Sequence, residues 1–376
     1  MEIITGFFQD TGHILLYYIL PFVVVLGIMI FFHELGHFLV AKYFNVKVLK
    51  FALGFGPKIV GKVMGETEYS IRWIPLGGFV KMLGEDTEED EDAPRPSPQD
   101  EKRAFNNQHP LKRIAIVAAG PVFNLLLALF LFCGVYIVSG DLIRTAEVGN
   151  VVEDSPASRA GIIKGDIITS MDGKAVKSWD DLADILLSKA AQPLSITVQR
   201  QGEPVELTVT PEEATGTNEF GEEIKTVQIG IESTYNYVKV ELSPLQAISQ
   251  GAEETWMWIK LTCLVVVKLL EGVVSVKTLG GPIMIGQLTG QLAQEDISYL
   301  IPFMGIISIN LGILNLFPIP ILDGGLILFL IIELITGKPL SLRKREMAQK
   351  IGFSLLIALM ILVFYNDILR MFQPTP

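Results

Sequence analysis

The chain has 376 residues, of which 50% are hydrophobic and only 19% are charged. A soluble protein of this length would not keep so much apolar content at so low a charge, and the apolar residues are clustered in long runs, so the composition indicates a membrane protein. The net charge of −11 argues against nucleic acid as a partner, although much of it comes from one acidic tract, Glu85 to Glu91. Cys133 and Cys263 each lie within an apolar run, so no disulfide framework is implied.

Four stretches are long enough to cross a hydrocarbon core of roughly 30 Å, which takes about 20 helical residues. They lie near Ile14–Val40, Leu111–Val138, Leu300–Ile335 and Ile351–Met371. The first has no basic residue before it and no small-residue cleavage site at its end, so we interpret it as a retained span and not as a signal peptide. Gly and Pro interrupt the third, which is tolerable only where protein or a cavity satisfies the freed backbone groups.

Basic residues are concentrated in two short loops. The loop after the first span contains, among others, Lys42, Lys47, Lys50, Lys58, Lys62, Arg72 and Lys81, and the loop before the fourth contains Lys338, Arg343, Lys344, Arg345 and Lys350. By the positive-inside rule both loops are cytoplasmic, both termini face outward, and the long segment between the second and third spans lies on the outer face. We therefore expect a multi-pass membrane protein, with this outer segment in the periplasm if the cell is Gram-negative.

The first loop has two predicted parts. Phe51 to Met82 alternates loosely and is rich in Gly and β-prone residues, which predicts β-hairpins. Glu85 to Arg103 is acidic and rich in Pro, which predicts disorder.

The outer segment also divides in two. Its first part has short β-branched runs separated by turn signals, with Ser178 as a helix cap, and reads as a small soluble domain. Its second part, residues 243–299, becomes apolar again. Lys260, Lys268 and Glu271 interrupt this part, which favours an amphipathic helical region at the membrane surface over a fifth span.

The first span contains His33-Glu34-Leu35-Gly36-His37, an HExxH motif. On a helix, positions i and i+4 share a face, so both imidazoles can reach one metal ion, and Glu34, offset by one residue, can act as a general base. An ionisable group at this depth costs about 2.5–3.5 kcal/mol on insertion scales, which favours a functional site over two helix-packing histidines beside a snorkelling Glu. The motif lies in the inner third of the span, so we expect the active site toward the cytoplasmic side.

A catalytic zinc site takes three protein ligands and one open position. His13 and His109 fall outside the predicted spans. The favoured third ligand is Asp323, because two prolines before it prevent a regular helix and two glycines after it let the backbone approach the metal. Glu333 is the alternative in the same span. The sequence therefore predicts one Zn2+ per chain.

HExxH in the first span, together with Asn315-Leu-Phe-Pro-Ile-Pro-Ile-Leu-Asp323-Gly324 in a late one, resembles the site-2 protease family of intramembrane zinc metalloproteases. The order of the segments and the run from Gly77 to Glu85 resemble its bacterial RseP-like branch, here with a single PDZ domain, and this resemblance implies a protein of the bacterial cell (inner) membrane. The fold that the resemblance implies is an α-helical polytopic membrane protein with four transmembrane helices, a membrane-associated β-hairpin region and an inserted α+β PDZ domain.

The expected segments follow from the spans and the resemblance together. They are the first transmembrane helix with HExxH (1–44), a cytoplasmic loop with β-hairpins and an acidic disordered tract (45–110), the second transmembrane helix (111–139), the PDZ domain (140–242), the membrane-surface helical region (243–299), the third transmembrane segment (300–336), and a cytoplasmic loop with the fourth transmembrane helix (337–376).

The resemblance also implies site roles. Zinc would be held by His33, His37 and Asp323, with Glu34 as general base. Gly120-Pro-Val-Phe-Asn124 matches the family's GxxxN element, so Asn124 either faces the site as a candidate substrate-binding residue or makes an ordinary interhelical hydrogen bond. In the same way, Asn315 either binds the substrate backbone or satisfies the broken helix.

A helical substrate presents no free carbonyl, so the enzyme must hold its substrate locally extended. The β-prone stretches Ile71–Ile74 and Phe79–Met82 offer an edge that could pair with an extended substrate, which makes Ile71 and Trp73 candidate substrate-binding residues.

In the outer domain, the run from Ser155 to Asp166 resembles a PDZ core in the permuted arrangement of bacterial proteases. The carboxylate-binding loop would then lie at Gln228–Ile231. Ile229, Gly230 and Ile231 are therefore candidates for binding a peptide carboxyl terminus. A size-exclusion plug without a peptide ligand is the alternative.

The implied function is hydrolysis of peptide bonds within transmembrane segments: regulated intramembrane proteolysis, such as of a pre-cleaved anti-sigma factor, or clearance of remnant signal peptides. The expected partners are transmembrane-helix proteins and the lipid bilayer, with no nucleic acid. A membrane metal transporter or channel would also place histidines and a broken helix at this depth, but it needs neither Glu34 nor a PDZ-like domain. An inactive PDZ-bearing scaffold is the remaining alternative.

Overall fold

The computed structural model describes residues 15–85, 97–188 and 192–372, apart from the side chains of residues 75 and 76. The chain divides into two compact units. Met1–Val135 and Ser249–Pro376 form the first unit, and Tyr136–Ile248 form the second. His13 and residues 86–91 of the predicted acidic tract lie outside the described residues.

The helices in chain order are α1 (Leu20–Tyr43), α2 (Pro98–Glu101), α3 (Pro110–Ser139), α4 (Pro156–Arg159), α5 (Trp179–Leu187), α6 (Pro244–Leu270), α7 (Pro282–Glu295), α8 (Leu300–Asn315), α9 (Asp323–Thr336) and α10 (Leu342–Phe372). Within the described part, four helical stretches are long and apolar enough to cross a membrane: Leu15–Tyr43, Pro110–Ser139, Ile297–Asn315 and Leu342–Phe372. The first, second and fourth of these coincide with predicted spans, whereas the third covers only the first part of the predicted span Leu300–Ile335. The helix of the fourth span, α10, begins before its apolar stretch because polar, helix-favouring residues extend it at its start.

The third predicted span is divided into α8 and α9. Pro318 and Pro320 lie between the two helices and cannot donate the backbone hydrogen bonds that would continue α8. A new helix therefore starts at Asp323.

Helices α1, α3 and α8 pack through a shared apolar cluster of Val25, Met29, Leu127 and Met304. The crossing of α1 and α3 is close because Gly36 has no side chain: a Cβ there would overlap the carbonyl oxygen of Ala119. Helix α6 packs against α3 and α8 through Trp258 and Ile259.

The start of α7 is held by a buried carboxylate of α10. Asp367, 2% exposed, accepts hydrogen bonds from the backbone amides of Gly281, Ile283 and Met284 at 2.9–3.1 Å. These amides have no partner within their own helix, so Asp367 serves as their cap from another helix.

The predicted β-hairpins form one long hairpin of β1 (Val48–Met64) and β2 (Thr67–Met82) that folds on itself. Residues 50–53 pair with residues 78–81 on one side and with residues 68–71 on the other. Gly54, Gly56 and Gly77 have positive φ angles, which lets both strands bend. Two stretches therefore lie at the edges of the folded hairpin: the end of β1 and the end of β2, from Gly78 onward.

Residues 97–103 are ordered, so this part of the disorder prediction is wrong. Ser97 Oγ accepts a hydrogen bond from the Asp100 amide at 3.1 Å and caps α2. Arg103 donates to both carboxylate oxygens of Glu66 at 2.7 Å, and Lys42 adds a third bond at 2.6 Å. These hydrogen bonds, chiefly those from Arg103, lower the pKa of Glu66 to about 2. The turn of the hairpin is thus tied to the segment that follows it.

The second unit is built mainly of strands: β3 (Asp141–Arg144), β4 (Val148–Val151), β5 (Ile167–Met171), β6 (Lys174–Ala175), β7 (Leu194–Arg200), β8 (Glu203–Val209), β9 (Glu212–Thr217), β10 (Glu223–Gln228), β11 (Ile231–Ser233) and β12 (Tyr237–Val240). The largest sheet has the order β6-β5-β7-β8, and β4 pairs with β11. Helix α5 starts at a capping box between Ser178 and Asp181 and buries Leu182, Ile185 and Leu186 in the core.

Candidate metal centre

Three potential ligand atoms, from two helices far apart in the sequence, lie close together. His33 and His37 lie one turn apart on α1, and their Nε2 atoms are 3.2 Å from each other. The Oδ2 atom of Asp323, the first residue of α9, is 3.2 Å from His33 Nε2 and 3.6 Å from His37 Nε2. One ligand atom from each of the three residues lies within 4.8 Å of the others.

The environment of these atoms fits a divalent cation. Asp323 Oδ2 is buried and has no hydrogen-bond partner. His37 Nδ1 lies 2.9 Å from the carbonyl oxygen of Ile116, a pure acceptor, so the ring proton is on Nδ1 and a lone pair remains on Nε2. Buried acceptor atoms that face one another repel unless a cation lies between them. Two imidazoles and one carboxylate are the donor set of a catalytic zinc site with an open position.

Helix α3 approaches the two histidines closely at Gly120. A Cβ on Gly120 would overlap His37 Nε2 and would lie 2.9 Å from His33 Cε1. Glycine is therefore required here for the close approach of α3 to α1.

The loop that interrupts the helix between α8 and α9 directs Asp323 into the site. A Cβ on Gly324 would overlap the carbonyl oxygens of Leu316 and Phe317, and a Cβ on Gly325 would overlap that of Ile319. The two glycines thus let the connecting loop fold tightly against the first turn of α9.

Glu34 lies beside the ligands in an open cleft of about 380 Å3. The cleft is lined by Ile30, His33, Glu34, Phe55, Gly77, Gly78, Leu311, Asn315, Ile321, Leu322 and Asp323. The backbone amide of Val80 points toward the Glu34 carboxylate. Gly78 leaves room for Glu34, because a Cβ on Gly78 would lie 2.9 Å from Glu34 Cγ. The end of β2 therefore contacts both Glu34 and the cleft.

The structure separates the two candidate third ligands. Glu333 accepts a hydrogen bond from Arg113 at 2.9 Å, and both side chains of this ion pair are largely buried. Asp323, in contrast, lies beside both histidines. His109 accepts a hydrogen bond from the Leu111 amide and is not part of the ligand group.

The candidate substrate-binding residues differ in position. Asn315 lines the cleft, whereas Asn124 is fully buried behind His33. Ile71 lies in an inner stretch of the hairpin, paired with both Leu53 and Val60, and does not line the cleft. Trp73, near the bend of β2, is 68% exposed and does not line the cleft either.

The predicted carboxylate-binding loop belongs to the second unit. The Ile229 side chain is buried in the core of that unit, and Ile231 pairs with Val151. Gly230 has a φ of +79°, and its carbonyl accepts a hydrogen bond from the Val152 amide at 2.9 Å. The Ile229 side chain is therefore not available for contact with a peptide.

Several groups of the site were not identified from the sequence. The Ile116 carbonyl and the Val80 amide are backbone groups, which carry no residue-specific signal. Gly77 and Gly78 did carry one, because a Gly-Gly pair inside a β-prone run marks a bend or a close approach.

The sequence of the chain is similar to those of known zinc metalloproteases. The sequence matches the family described as "Peptidase family M50" over residues 21–359. An Agrobacterium fabrum protein, provisionally named as the zinc metalloprotease Atu1380, is 35% identical over 93% of this chain and 95% of its own length. The zinc metalloprotease RasP of Geobacillus kaustophilus is 32% identical over 94% of this chain and 98% of its own length. A solved PDZ domain of the SdrC-like protein Lmo2051 from Listeria monocytogenes is 26% identical and covers 24% of this chain and 88% of its own, with a TM-score of 0.20.

Proposed function

Because the chain belongs to peptidase family M50, the site-2 proteases, and is an intramembrane zinc metalloprotease, we propose that His33, His37 and Asp323 hold one Zn2+ per chain and that Glu34 is the general base. The observation that carries this assignment is the meeting of three ligand atoms beside Glu34 in one cleft.

When bound, zinc supplies Lewis-acid polarisation of the scissile carbonyl and acidifies water. Glu34 takes the proton from the attacking water and returns it to the leaving nitrogen. The amide of Val80 holds the Glu34 carboxylate in place for both transfers. Asn315, which lines the same cleft, binds the backbone of the substrate.

The substrate is the transmembrane segment of a membrane protein, held as an added strand along the end of β2. Hydrogen-bonding directions alternate along a strand, and the Val80 amide points away from β1 toward Glu34. The backbone groups of Gly78 then point the same way, into the cleft. In this arrangement Gly78 binds the substrate backbone, which is the role first expected for Ile71 and Trp73. Proline placed in turn at each substrate position near the cut removes one backbone donor at a time. Strand pairing gives loss of cleavage at every second position, and a flat profile contradicts it.

The proposed topology places both termini and residues 140–242 on the outer side of the cell membrane, with the metal centre toward the cytoplasm. The basic loops support it. We assign residues 140–242 to a PDZ domain whose loop at Ile229–Ile231 captures a peptide carboxylate through its backbone. A peptide with a free carboxyl terminus should then bind more tightly than its amidated form. Equal binding, or none, favours a size-exclusion role. Pre-cleaved anti-sigma factors and remnant signal peptides are the proposed substrate classes.

The assignment of Glu34 and the ligands is tested with the purified full chain in detergent and a model transmembrane substrate. Glu34→Gln should lower cleavage by more than about 100-fold with zinc content unchanged. Glu295→Gln, at an exposed glutamate of α7, is the matched control and should leave cleavage intact. Undiminished cleavage by Glu34→Gln would overturn the assignment. Transport of zinc across vesicle membranes by the original chain, without cleavage of the substrate, would overturn it as well.

A further inference from the structure

Asn124 lies behind the metal centre on α3 and is fully buried, with 0% of its surface exposed. Its side-chain amide lies against the back of a zinc ligand, with Nδ2 3.2 Å from His33 Nδ1. Its other amide atom, Oδ1, is buried and has no hydrogen-bond partner. A buried amide oxygen without a hydrogen-bond partner costs free energy, so packing alone is not a sufficient reason for this contact.

The chemistry of imidazole supplies that reason. A histidine that binds a metal through Nε2 must carry its ring proton on Nδ1, and this proton needs an acceptor. His37 has one in the carbonyl of Ile116, at 2.9 Å. At the back of His33, the corresponding contact is the Asn124 amide.

An amide has nearly the same shape in its two orientations, so hydrogen bonding decides between them. With Nδ2 toward His33, the ring must carry its proton on Nε2, where the three ligand atoms meet. With Oδ1 toward His33, the Nδ1 proton has an acceptor and the unpaired oxygen gains a donor. The second orientation is the one compatible with a bound metal.

We propose that Asn124 is a positioning residue for the metal centre: its Oδ1 accepts the Nδ1 proton of His33, which fixes the tautomer and the rotation of that ring. This inference rests on the proposed zinc site. It also replaces the expected contact of Asn124 with substrate, because Asn124 lies outside the cleft lining. The backbone of Asn124 is held independently, since its carbonyl accepts a hydrogen bond from Ser308 Oγ at 2.8 Å.

The test is zinc affinity, measured on the full chain in detergent by competition with a chelator. Asn124→Leu removes the acceptor at similar size and should weaken zinc binding by about 10–100-fold. Asn124→Asp keeps an acceptor oxygen at the same place and should bind zinc within about tenfold of the original chain. The d–d absorption spectrum of the Co2+-loaded protein should change in Asn124→Leu and be retained in Asn124→Asp.

Ser308→Ala is the matched control, because it breaks the bond between α3 and α8 at the same residue without touching the His33 contact. It should keep zinc affinity. Equal zinc affinity of Asn124→Leu and the original chain overturns the inference. A loss of zinc affinity of more than about 100-fold in Asn124→Asp overturns it too, and this second test does not depend on the folding of the leucine variant. If His33→Ala binds zinc as tightly as the original chain, the proposed site itself fails, which separates the two outcomes.

Discussion

The Oδ2 atom of Asp323 lies 3.2 Å from the Nε2 atom of His33, although the two residues come from opposite ends of the chain. The contact requires a helix that begins at Asp323 and a loop that folds tightly before it. It also requires a close crossing of α1 and α3 at the histidines. The last two requirements are met by glycines, so the metal centre depends on small residues as much as on its ligands.

The choice of the third ligand leads to the first prediction. Asp323→Ala should weaken zinc binding by more than about tenfold, equivalent to about 1.4 kcal/mol, because only two protein ligands remain. Glu333→Gln is the matched control: it disturbs the ion pair with Arg113 but should keep zinc. Metal content after dialysis against a weak chelator measures both. Retention of zinc by Asp323→Ala together with its loss from Glu333→Gln would reverse the assignment.

The close approach at Gly120 leads to the second prediction. In Gly120→Ala the new methyl group overlaps His37 Nε2, so both zinc content and cleavage should fall. Gly134→Ala lies on the same helix with no atom within 4 Å of the new Cβ. It should leave both intact, with up to about 1 kcal/mol of added helix stability. Zinc content and thermal unfolding of the two variants, measured side by side, check the prediction. Normal zinc content in Gly120→Ala contradicts it.

The contact between Gly78 and Glu34 leads to the third prediction. A methyl group on Gly78 lies 2.9 Å from Glu34 Cγ and 3.0 Å from the Ala52 carbonyl, so Gly78→Ala should displace the proposed base. Cleavage should fall by roughly 10²–10⁴-fold, the usual contribution of a positioned acid or base, while zinc content stays unchanged. Gly27→Ala, on α1 with open space around it, is the matched control. The kcat of each variant on a transmembrane substrate measures the effect. An unchanged kcat in Gly78→Ala would show that Gly78 does not position Glu34.

The bonds to Glu66 lead to a prediction about pH. The pKa of Glu66 is lowered from 4.5 to about 2 by Arg103 and Lys42. A depressed pKa means that the stabilising bonds are fully present above pH 4.5 and are lost as the pH falls toward 2. Glu66→Gln should therefore destabilise the hairpin at pH 7, and its difference from the original chain should shrink between pH 4.5 and 2.

Amide hydrogen exchange of residues 58–69, measured in detergent across this range, checks the pH dependence. Glu101→Gln is the matched control, because Glu101 is an exposed glutamate of α2 whose side chain takes no part in the ion pairs of Glu66. A constant difference between Glu66→Gln and the original chain at every pH would contradict the prediction.

Much of the architecture could be predicted from the sequence because it depends on local patterns. The apolar runs located four spanning stretches, and the spacing of His33 and His37 placed two imidazoles on one helical face. The prolines before Asp323 indicated the break between α8 and α9. Each of these features involves neighbours in the chain.

Other expectations could not be resolved by pattern alone. Composition predicted disorder up to Arg103, but the ion pair with Glu66 orders the segment through a residue on the other side of the acidic tract. Ile71 is β-prone like Phe79, yet only the folded hairpin decides which of the two stretches lies at an edge beside Glu34. β-Propensity describes a residue's fit to a strand and not the position of that strand in a sheet.

The sequence by itself determined the membrane-spanning character of the chain and the residue types able to bind zinc, because hydropathy and helical spacing are local properties. The tertiary structure decided which groups surround those residues: the Ile116 carbonyl at His37, the Val80 amide at Glu34, and the Asn124 amide at His33. Two of these are backbone groups that every residue type shares, and the third belongs to a side chain on another helix. Their partners are therefore set only by how the chain folds.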